Sequence, residues 1–364
     1  MMFITKKAVR KYGYIGKDNA AERRREQLEE LTERYGYVLE DELLRLWDNQ
    51  VREIDVENLI MLIIAYQLGE SLSGLFSRTT TRTRAFADAI LAKAINGISA
   101  EAYVGAAEDF KKIDTPVSRQ NFIKRFSAMD FGRFDVMIKP EYLRYPFDFL
   151  ELPEVNTGAR RIGLNFDDFL DEYVKEHTGK WVKEINDVQL KNIKSVIENT
   201  LSGGRDMRTA AQLIKNSVGL TEKQFSAAMK YYDKVRGELS KGNPNLSIEE
   251  INAAANNALN RYVERKRAER ARTIARTETA IARNKAYDLY IRESQKLGLM
   301  GRVVLKWVCA KTGNVCKYCK VLDGKTIDID GEFDVDYNFC GDQKRLPPAH
   351  PNCRCVVIYI EVAE

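Results

Sequence analysis

The stretch "LPPAHPNCRCVVIYI", residues 346–360, decides the C-terminal part of the fold, because it joins candidate metal ligands to a strand. It contains His350, one of only 2 histidines in the chain, followed closely by Cys353 and Cys355. The apolar, β-branched run "CVVIYI" that ends it is typical of a strand. Together these features predict a small β-rich unit that needs sulfur ligands.

The cysteines are confined to the end of the sequence. All 6 lie between Cys309 and Cys355, and the segment "NVCKYCKVLDGK" supplies two of them, Cys316 and Cys319. The N-terminus has no continuous apolar core and no small-residue cleavage site, so we expect no secretory signal. In a reducing cytoplasm, clustered thiols favour a metal ion over disulfides.

The spacing Cys-x2-Cys, followed later by His-x2-Cys-x-Cys, is typical of a tetrahedral zinc site. Five residues compete for four positions, and we predict Cys316, Cys319, His350 and Cys355, with Cys353 as the alternate. Four protein ligands leave no open coordination position, so the site would be structural. Disulfides and unliganded thiols remain alternatives. Cys309 and Cys340 are interpreted as packing residues or a separate pair.

The remainder of the sequence is typical of helices. The fold class is therefore mainly α, with a small C-terminal β-rich (α+β) zinc-stapled module. Four regions are predicted: an N-terminal helical region at 1–112, an irregular connecting segment at 113–166, a helical region at 167–300 and the Cys/His unit at 301–364. The wide apolar stripes of Glu22–Leu68 suggest helices that face a partner.

Local signals place several boundaries. Thr221 with Gln224 and Ser247 with Glu250 form capping boxes that begin two helices. The pattern that starts at the second box continues almost to Gly298, and we expect two helices or a bend in it. "RVVLKWV" and "CVVIYI" predict strands, and Asp323-Gly324 is placed at a hairpin turn.

Three segments, in this order and spacing, resemble the phage Mu F-like head morphogenesis family. They are "ARTIARTETAIARNKAY" at 271–287, "CKYCKVLDGK" at 316–325 following Trp307, and "LPPAHPNCRC" at 346–355. A weaker helical similarity extends back to about residue 185, while the first 180 residues show no specific match. Cys340 and the "IDIDGEFDVDYNF" segment are not part of the family pattern.

The resemblance implies a minor capsid protein of a tailed bacteriophage. Such proteins associate with the portal protein and with other capsid or connector proteins, enter the head in few copies and can contact double-stranded DNA. It therefore implies a virion location at the portal vertex, host cytoplasm during assembly, and no enzymatic activity.

The resemblance also marks a structural motif, Arg276, Thr277 and Glu278, together with Arg354 of the second segment. We expect Glu278 to pair with an arginine, either of its own helix or of the Cys/His unit, where Arg354 is the candidate. A basic stripe overlaps this motif and predicts contact with DNA phosphates, with a solvated helix face as the alternative. Its members are Arg265, Lys266, Arg267, Arg270, Arg272 and Arg276.

Other functions are less favoured by the sequence. A DNA-binding protein without assembly duties is one alternative, and a zinc-dependent nuclease is another. The sequence lacks the catalytic histidine and the nearby metal ligands that a nuclease needs, because His177 is far upstream and His350 is assigned to zinc. A toxin would need an effector domain, and we expect none after the last strand. The longest apolar run, residues 59–66, is too short for a membrane helix.

Overall fold

The computed structural model describes residues 19–67, 73–112, 166–203, 207–296, 300–310, 315–334 and 344–362. The irregular segment predicted at 113–166 lies outside these residues, except for Phe166. Cys340 also lies outside them. Among the described residues, no helix combines the length and the apolar character needed to cross a bilayer.

The protein is mainly helical, as predicted. Its helices are α1 (Asn19–Leu31), α2 (Tyr37–Glu53), α3 (Val56–Gln67), α4 (Ser73–Phe86), α5 (Ala92–Lys112), α6 (Phe166–Gly203), α7 (Met207–Ser217), α8 (Glu222–Gly242), α9 (Ile248–Lys296) and the short α10 (Lys317–Leu322). Single π-helical turns, Thr32–Gly36 and Ala87–Leu91, join α1 to α2 and α4 to α5.

Both predicted capping boxes are confirmed. Thr221 accepts from the Gln224 N–H at 3.2 Å, and Ser247 accepts from the Glu250 N–H at 3.2 Å. Of the two alternatives for the following pattern, two separate helices is wrong, since α9 is one helix of 49 residues, and a bend in it stays a prediction. Pro and Gly are the residues that most often interrupt a helix, and Ile248–Lys296 contains neither, so the helix continues along this whole segment.

Three short strands form one antiparallel sheet in the order β2-β1-β3. Strands β1 (Val303–Val308) and β3 (Val356–Glu361) are the two predicted ones, and β2 (Thr326–Asp328) was not predicted. Asp323-Gly324 does form a turn, with Gly324 at φ 77°. The expected hairpin is wrong, because α10 lies between β1 and this turn.

The chain forms two compact units that alternate along the sequence. One comprises residues 1–38, 93–172 and 274–364, and it contains the sheet; the other comprises 39–92 and 173–273. The division falls inside α9, between Thr273 and Ile274. The four consecutive regions stay a prediction.

The second unit is built on a helical core. Side chains of α3, α6, α7, α8 and α9 meet there, including Leu59, Ile197, Leu213, Tyr232 and Leu259, each 1% exposed or less. Trp47 of α2 is fully buried in the same unit. A Cβ at Gly219 would approach the Trp47 ring to 2.7 Å, so the turn after α7 requires glycine.

In the first unit, the N-terminal helix packs on the sheet. Ala21 of α1 joins Val356 and Ile358 of β3 in an apolar cluster. The buried Arg24 donates to the Val357 carbonyl and to the Tyr287 hydroxyl, both at 2.6 Å, and its guanidinium lies 4.1 Å from the Tyr287 ring centroid. Helix α1 is therefore part of the unit that carries the cysteines.

The apolar stripes of the N-terminal helices are covered in part by the protein itself. Leu28 and Leu31 of α1 and Leu39, Leu43 and Trp47 of α2 are all buried. Tyr37, Met61 and Ile64 of the same segment are exposed, at 59%, 65% and 37%, so a partner-facing role for Glu22–Leu68 stays a prediction. Leu68 itself lies outside the described residues.

A buried carboxylate organises the first unit around α9. Asp288 is 3% exposed and accepts two hydrogen bonds from the Arg345 guanidinium, both at 2.7 Å. Arg292 and the Tyr359 hydroxyl also donate to it, at 3.0 and 3.1 Å. Since a buried charge is tolerated only when it is paired, this network joins the helix, the loop before His350 and strand β3.

Substitution Arg345→Ala should destabilise this unit, because it leaves Asp288 without its buried bidentate partner. We expect the opening free energy of β1 and β3, measured by hydrogen–deuterium exchange, to fall by about 3 kcal/mol. The matched control is Arg302→Ala, whose partner Asp328 is 49% exposed; this change should cost less than about 1 kcal/mol. Equal losses in the two variants would contradict a dominant role for the buried pair.

Candidate metal centre

The Cys-x2-Cys pair lies at the start of helix α10. Cys316 is its N-cap residue, and its sulfur accepts from the Cys319 N–H at 3.3 Å. This turn points both sulfurs in one direction, which is the geometry that a metal ion requires of such a pair. Cys316 is half-buried and Cys319 is 2% exposed.

The His-x2-Cys pair lies in the loop before β3. The Cys353 N–H donates to the His350 carbonyl at 3.1 Å, so the loop turns back between the two ligands. Asn352 takes a left-handed conformation in this turn, with φ 61°. Asparagine tolerates that conformation better than most residues, which explains its place in "HPNC".

The His350 ring faces two sulfurs. Its Nε2 lies 3.1 Å from Cys316 Sγ and 3.3 Å from Cys319 Sγ. Its Nδ1 lies 2.9 Å from the Pro351 carbonyl oxygen. A proton on Nδ1 would donate to that carbonyl and leave the Nε2 lone pair directed at the sulfurs, as in histidines that bind metals.

A second group of sulfurs shares Cys319 with the first. The sulfurs of Cys319, Cys353 and Cys355 lie within 4.8 Å of one another, and all three residues are buried. Cys319 and Cys353 are 3.7 Å apart. Two thiolates on one tetrahedral zinc ion lie about 3.8 Å apart, so this distance fits a shared ion. Both groups could hold a metal ion.

The structure brings together all the predicted ligands, but in two overlapping groups. Cys316, Cys319 and His350 form one, while Cys355 and the alternate Cys353 form the other with Cys319. The five described cysteines are all free thiols, so none of them forms a disulfide. Cys309, interpreted from the sequence as a packing residue or a separate pair, lies with its sulfur 3.6 Å from Cys355 Sγ.

Within the second group, the pKa of one thiol is lowered and the pKa of another is raised. Hydrogen bonds from Cys319 and Cys353 lower the pKa of Cys355 to about 3, although burial opposes this shift. Hydrogen bonds with Cys353 and Cys355 raise the pKa of Cys319. One buried thiolate thus depends on neighbouring S–H donors, and a cation at this position would replace those protons.

The family motif on α9 holds the ligand loop in place. Thr277 Oγ1 accepts from the Asn352 N–H at 3.0 Å, and Arg276 donates to the Asn352 side chain at 3.4 Å. Asn284, which is buried, donates to the Pro347 carbonyl at 2.8 Å. Helix α9 therefore bonds the ligand loop both before His350, at Pro347, and after it, at Asn352.

The expected ion pair between Glu278 and Arg354 is not among those of the described residues. Glu278 is 8% exposed, whereas Arg354 is exposed on the ligand loop. The motif instead acts through Thr277 and Arg276, whose partner is Asn352. That role could have been suggested by the asparagine in "HPNC", which needs support for its turn.

The six basic residues do not form one exposed stripe. Arg267 is buried and donates to the Val218 carbonyl at 2.8 Å, which caps the end of α7. Arg270 is 8% exposed, and its guanidinium lies 5.6 Å from the Trp47 ring. Burial lowers the pKa of both guanidinium groups to about 10. These two residues are therefore structural, contrary to the prediction.

The other members of the stripe have mixed environments. Lys266 pairs with Glu269 at 2.7 Å, and Arg272 pairs with Glu40 at 3.1 Å. Arg276 contacts the ligand loop, and Arg265 is exposed. Two of the six charges are thus paired with carboxylates and two are buried, which lowers the positive charge that this part of α9 presents to phosphates.

Sequence reasoning did not find two contributors to the centre. Arg25 of α1 donates to the Cys309 carbonyl at 2.8 Å, and the Cys309 N–H donates to Asp323 at 2.8 Å. Asp323 had been assigned only to a turn. The contact of α1 has no local signal, because 284 residues separate its two partners.

The fold and the site together define a helical protein with a small C-terminal Cys/His unit that can hold a metal ion. Residues 191–358 match the family model described as Phage Mu protein F like protein, so this part of the chain is similar to that family. The match confirms the resemblance found in the motifs and supports the expected class, a bacteriophage head morphogenesis protein. Comparison with curated proteins and with solved structures gave no significant match.

Substitution Thr277→Val should weaken metal binding by about tenfold, because the ligand loop loses its hydrogen-bond acceptor on α9. Competition with a chromophoric chelator measures this affinity. Thr279→Val is the matched control, since that buried hydroxyl donates within its own helix, to Ala275 O at 2.8 Å. A Thr277 variant that binds metal as tightly as the control would show that the loop does not need this support.

Proposed function

We propose that this protein is a minor capsid protein of a tailed bacteriophage that acts in head morphogenesis at the portal vertex. The observation that carries the proposal is the family match over 191–358, which includes α9, the Cys/His unit and the segments between them. Its partners are the portal protein and neighbouring capsid or connector proteins. Its place is the virion, after assembly in the host cytoplasm.

The protein acts in this proposal as a structural component and not as an enzyme. The two groups of potential metal ligands in the described part of the chain contain thiols and an imidazole and no carboxylate. That set favours closed, structural zinc coordination, whereas a hydrolytic site keeps an open position for water. His177, the second histidine, lies against Tyr173 with ring centroids 5.5 Å apart and far from this chemistry in sequence.

Zinc is the metal that these ligands favour. Soft thiolates with one imidazole in tetrahedral arrangement suit Zn²⁺ better than the hard cations Mg²⁺ and Ca²⁺, which prefer oxygen. The sheet has only three strands, and one of them has three residues. A sheet of this size gains much of its stability from cross-links, which supports a role for the ion in holding α10 and the ligand loop together.

The assembly proposal is tested with the portal protein of the same phage. The full chain, co-expressed with portal and scaffold, should co-sediment with portal rings and appear in purified heads at a few copies each. A chain that enters heads normally in the absence of portal, or that never associates with portal rings, would overturn the portal assignment. Mass spectrometry of the heads gives the copy number directly.

The zinc proposal has its own measurement. Protein purified under reducing conditions should contain zinc, and the double substitution Cys316→Ser with His350→Ala should lower that content by about half or more, since both residues belong to the first ligand group. Lys320→Ala, an exposed change on the same short helix, is the control and should keep the wild-type content. Wild-type protein that contains no metal, with all thiols reactive, would rule out the zinc role.

A further inference from the structure

The sulfur cluster is larger than one four-ligand centre can use. Six side chains follow one another without a gap: Cys316 and His350 at 3.1 Å, His350 and Cys319 at 3.3 Å, Cys319 and Cys353 at 3.7 Å, and Cys355 and Cys309 at 3.6 Å. Cys355 also lies within 4.8 Å of Cys319 and Cys353, which closes the series. A single tetrahedral ion accounts for four of these six.

The sheet explains why Cys309 and Cys355 are neighbours. Val308 of β1 is opposite Val356 of β3, so one step further along the antiparallel register Cys309 is opposite Cys355. The Cys309 N–H donates to Asp323 and not to β3. The two cysteines thus occupy a position without ladder hydrogen bonds, where opposite side chains approach most closely.

The six ligands can be divided into two overlapping sets of four, each large enough for one tetrahedral ion. Each set starts from a group whose ligand atoms lie within 4.8 Å of one another, Cys316–Cys319–His350 in one case and Cys319–Cys353–Cys355 in the other. Each gains a fourth ligand whose sulfur is close to a group member: Cys353, at 3.7 Å from Cys319, for the first, and Cys309, at 3.6 Å from Cys355, for the second. Cys319 and Cys353 belong to both sets.

We propose that this cluster holds two metal ions bridged by the thiolates of Cys319 and Cys353. Cys316 and His350 complete the shell of the first ion, and Cys309 and Cys355 complete the shell of the second. The inference deepens the proposed zinc role and rests on it. It differs from the site expected from the sequence, because it gives Cys309 a ligand role and uses Cys353 and Cys355 together.

The charges of this arrangement balance. Two dications displace one proton from each of five thiols, and neutral His350 keeps its own, so the complete cluster carries one net negative charge. A single ion bound by His350 and three thiolates carries the same net charge. The second ion therefore adds no uncompensated charge to a buried site, which is the usual obstacle to placing ions there.

Binding of the second ion requires a change in the Cys309 side chain only. In this structure the Cys309 thiol donates to the Cys319 carbonyl at 2.9 Å. When the ion displaces that proton to solvent, the hydrogen bond is lost, and the Cys309 side chain is free to rotate about its torsion so that the thiolate can bind the ion beside Cys355. The backbone at Cys309 stays fixed by Asp323 and Arg25, which hold its N–H and its carbonyl.

The test is the number of zinc ions per full-length chain, measured by plasma mass spectrometry after purification with excess zinc and desalting. We expect two per chain in the wild type. Cys309→Ser should reduce this to one, and the remaining ion should keep His350 as a ligand. Lys320→Ser, an exposed change on α10, is the control, and it should retain two.

A second readout does not depend on a variant folding correctly. Wild-type protein loaded with ¹¹³Cd should give two cadmium resonances with thiolate-rich shifts and a coupling between them through the bridging sulfurs. One ion per wild-type chain, or a single resonance, would overturn this inference and leave the zinc role intact. No bound ion at all would overturn both, so the two failures can be told apart.

Discussion

The pairing of Asp288 with Arg345 is the interaction on which the C-terminal unit depends. Asp288 lies on α9, Arg345 begins the loop that carries His350, and Tyr359 of β3 donates to the same carboxylate. A buried carboxylate that loses its charged partner destabilises the fold strongly, so these elements are held in one arrangement. The positions of the metal ligands follow from that arrangement, because the loop between Arg345 and β3 supplies half of them.

The family motif gains a physical interpretation from this arrangement. Thr277 and Asn284 are polar residues on a buried helix face, and each bonds the backbone of the ligand loop. Arg283 is fully buried and bonds Gln27 and Asn284, so it links α1 to the same face. The motif thus describes a packing surface between a helix and a loop. Buried polar residues of this kind favour one register of the contact over its alternatives.

Much of the architecture could be predicted from local signals. The two capping boxes and the strands around Trp307 and Val357 depend on residues close in sequence, and the structure agrees with each. The clustering of Cys316, Cys319 and His350 was predictable from the two ligand pairs, because metal-ligand spacing links pairs that are distant in sequence. The sequence did not decide between one continuous α9 and two helices, because periodicity alone does not exclude a break. The burial of Arg267 and Arg270 was missed, since charge in a sequence says nothing about the carbonyls and rings that a folded chain places around it.

The contact between α1 and β3 has a consequence for how the protein is made. Arg24 donates to the Val357 carbonyl, 333 residues away. Helix α1 therefore leaves the ribosome with its arginine and its apolar face uncovered, and both stay uncovered until the strand that covers them, 333 residues further along the chain, has been synthesised. The sheet and the thiols can reach their final arrangement only after that strand has been made, and contacts of such large sequence separation form late in folding.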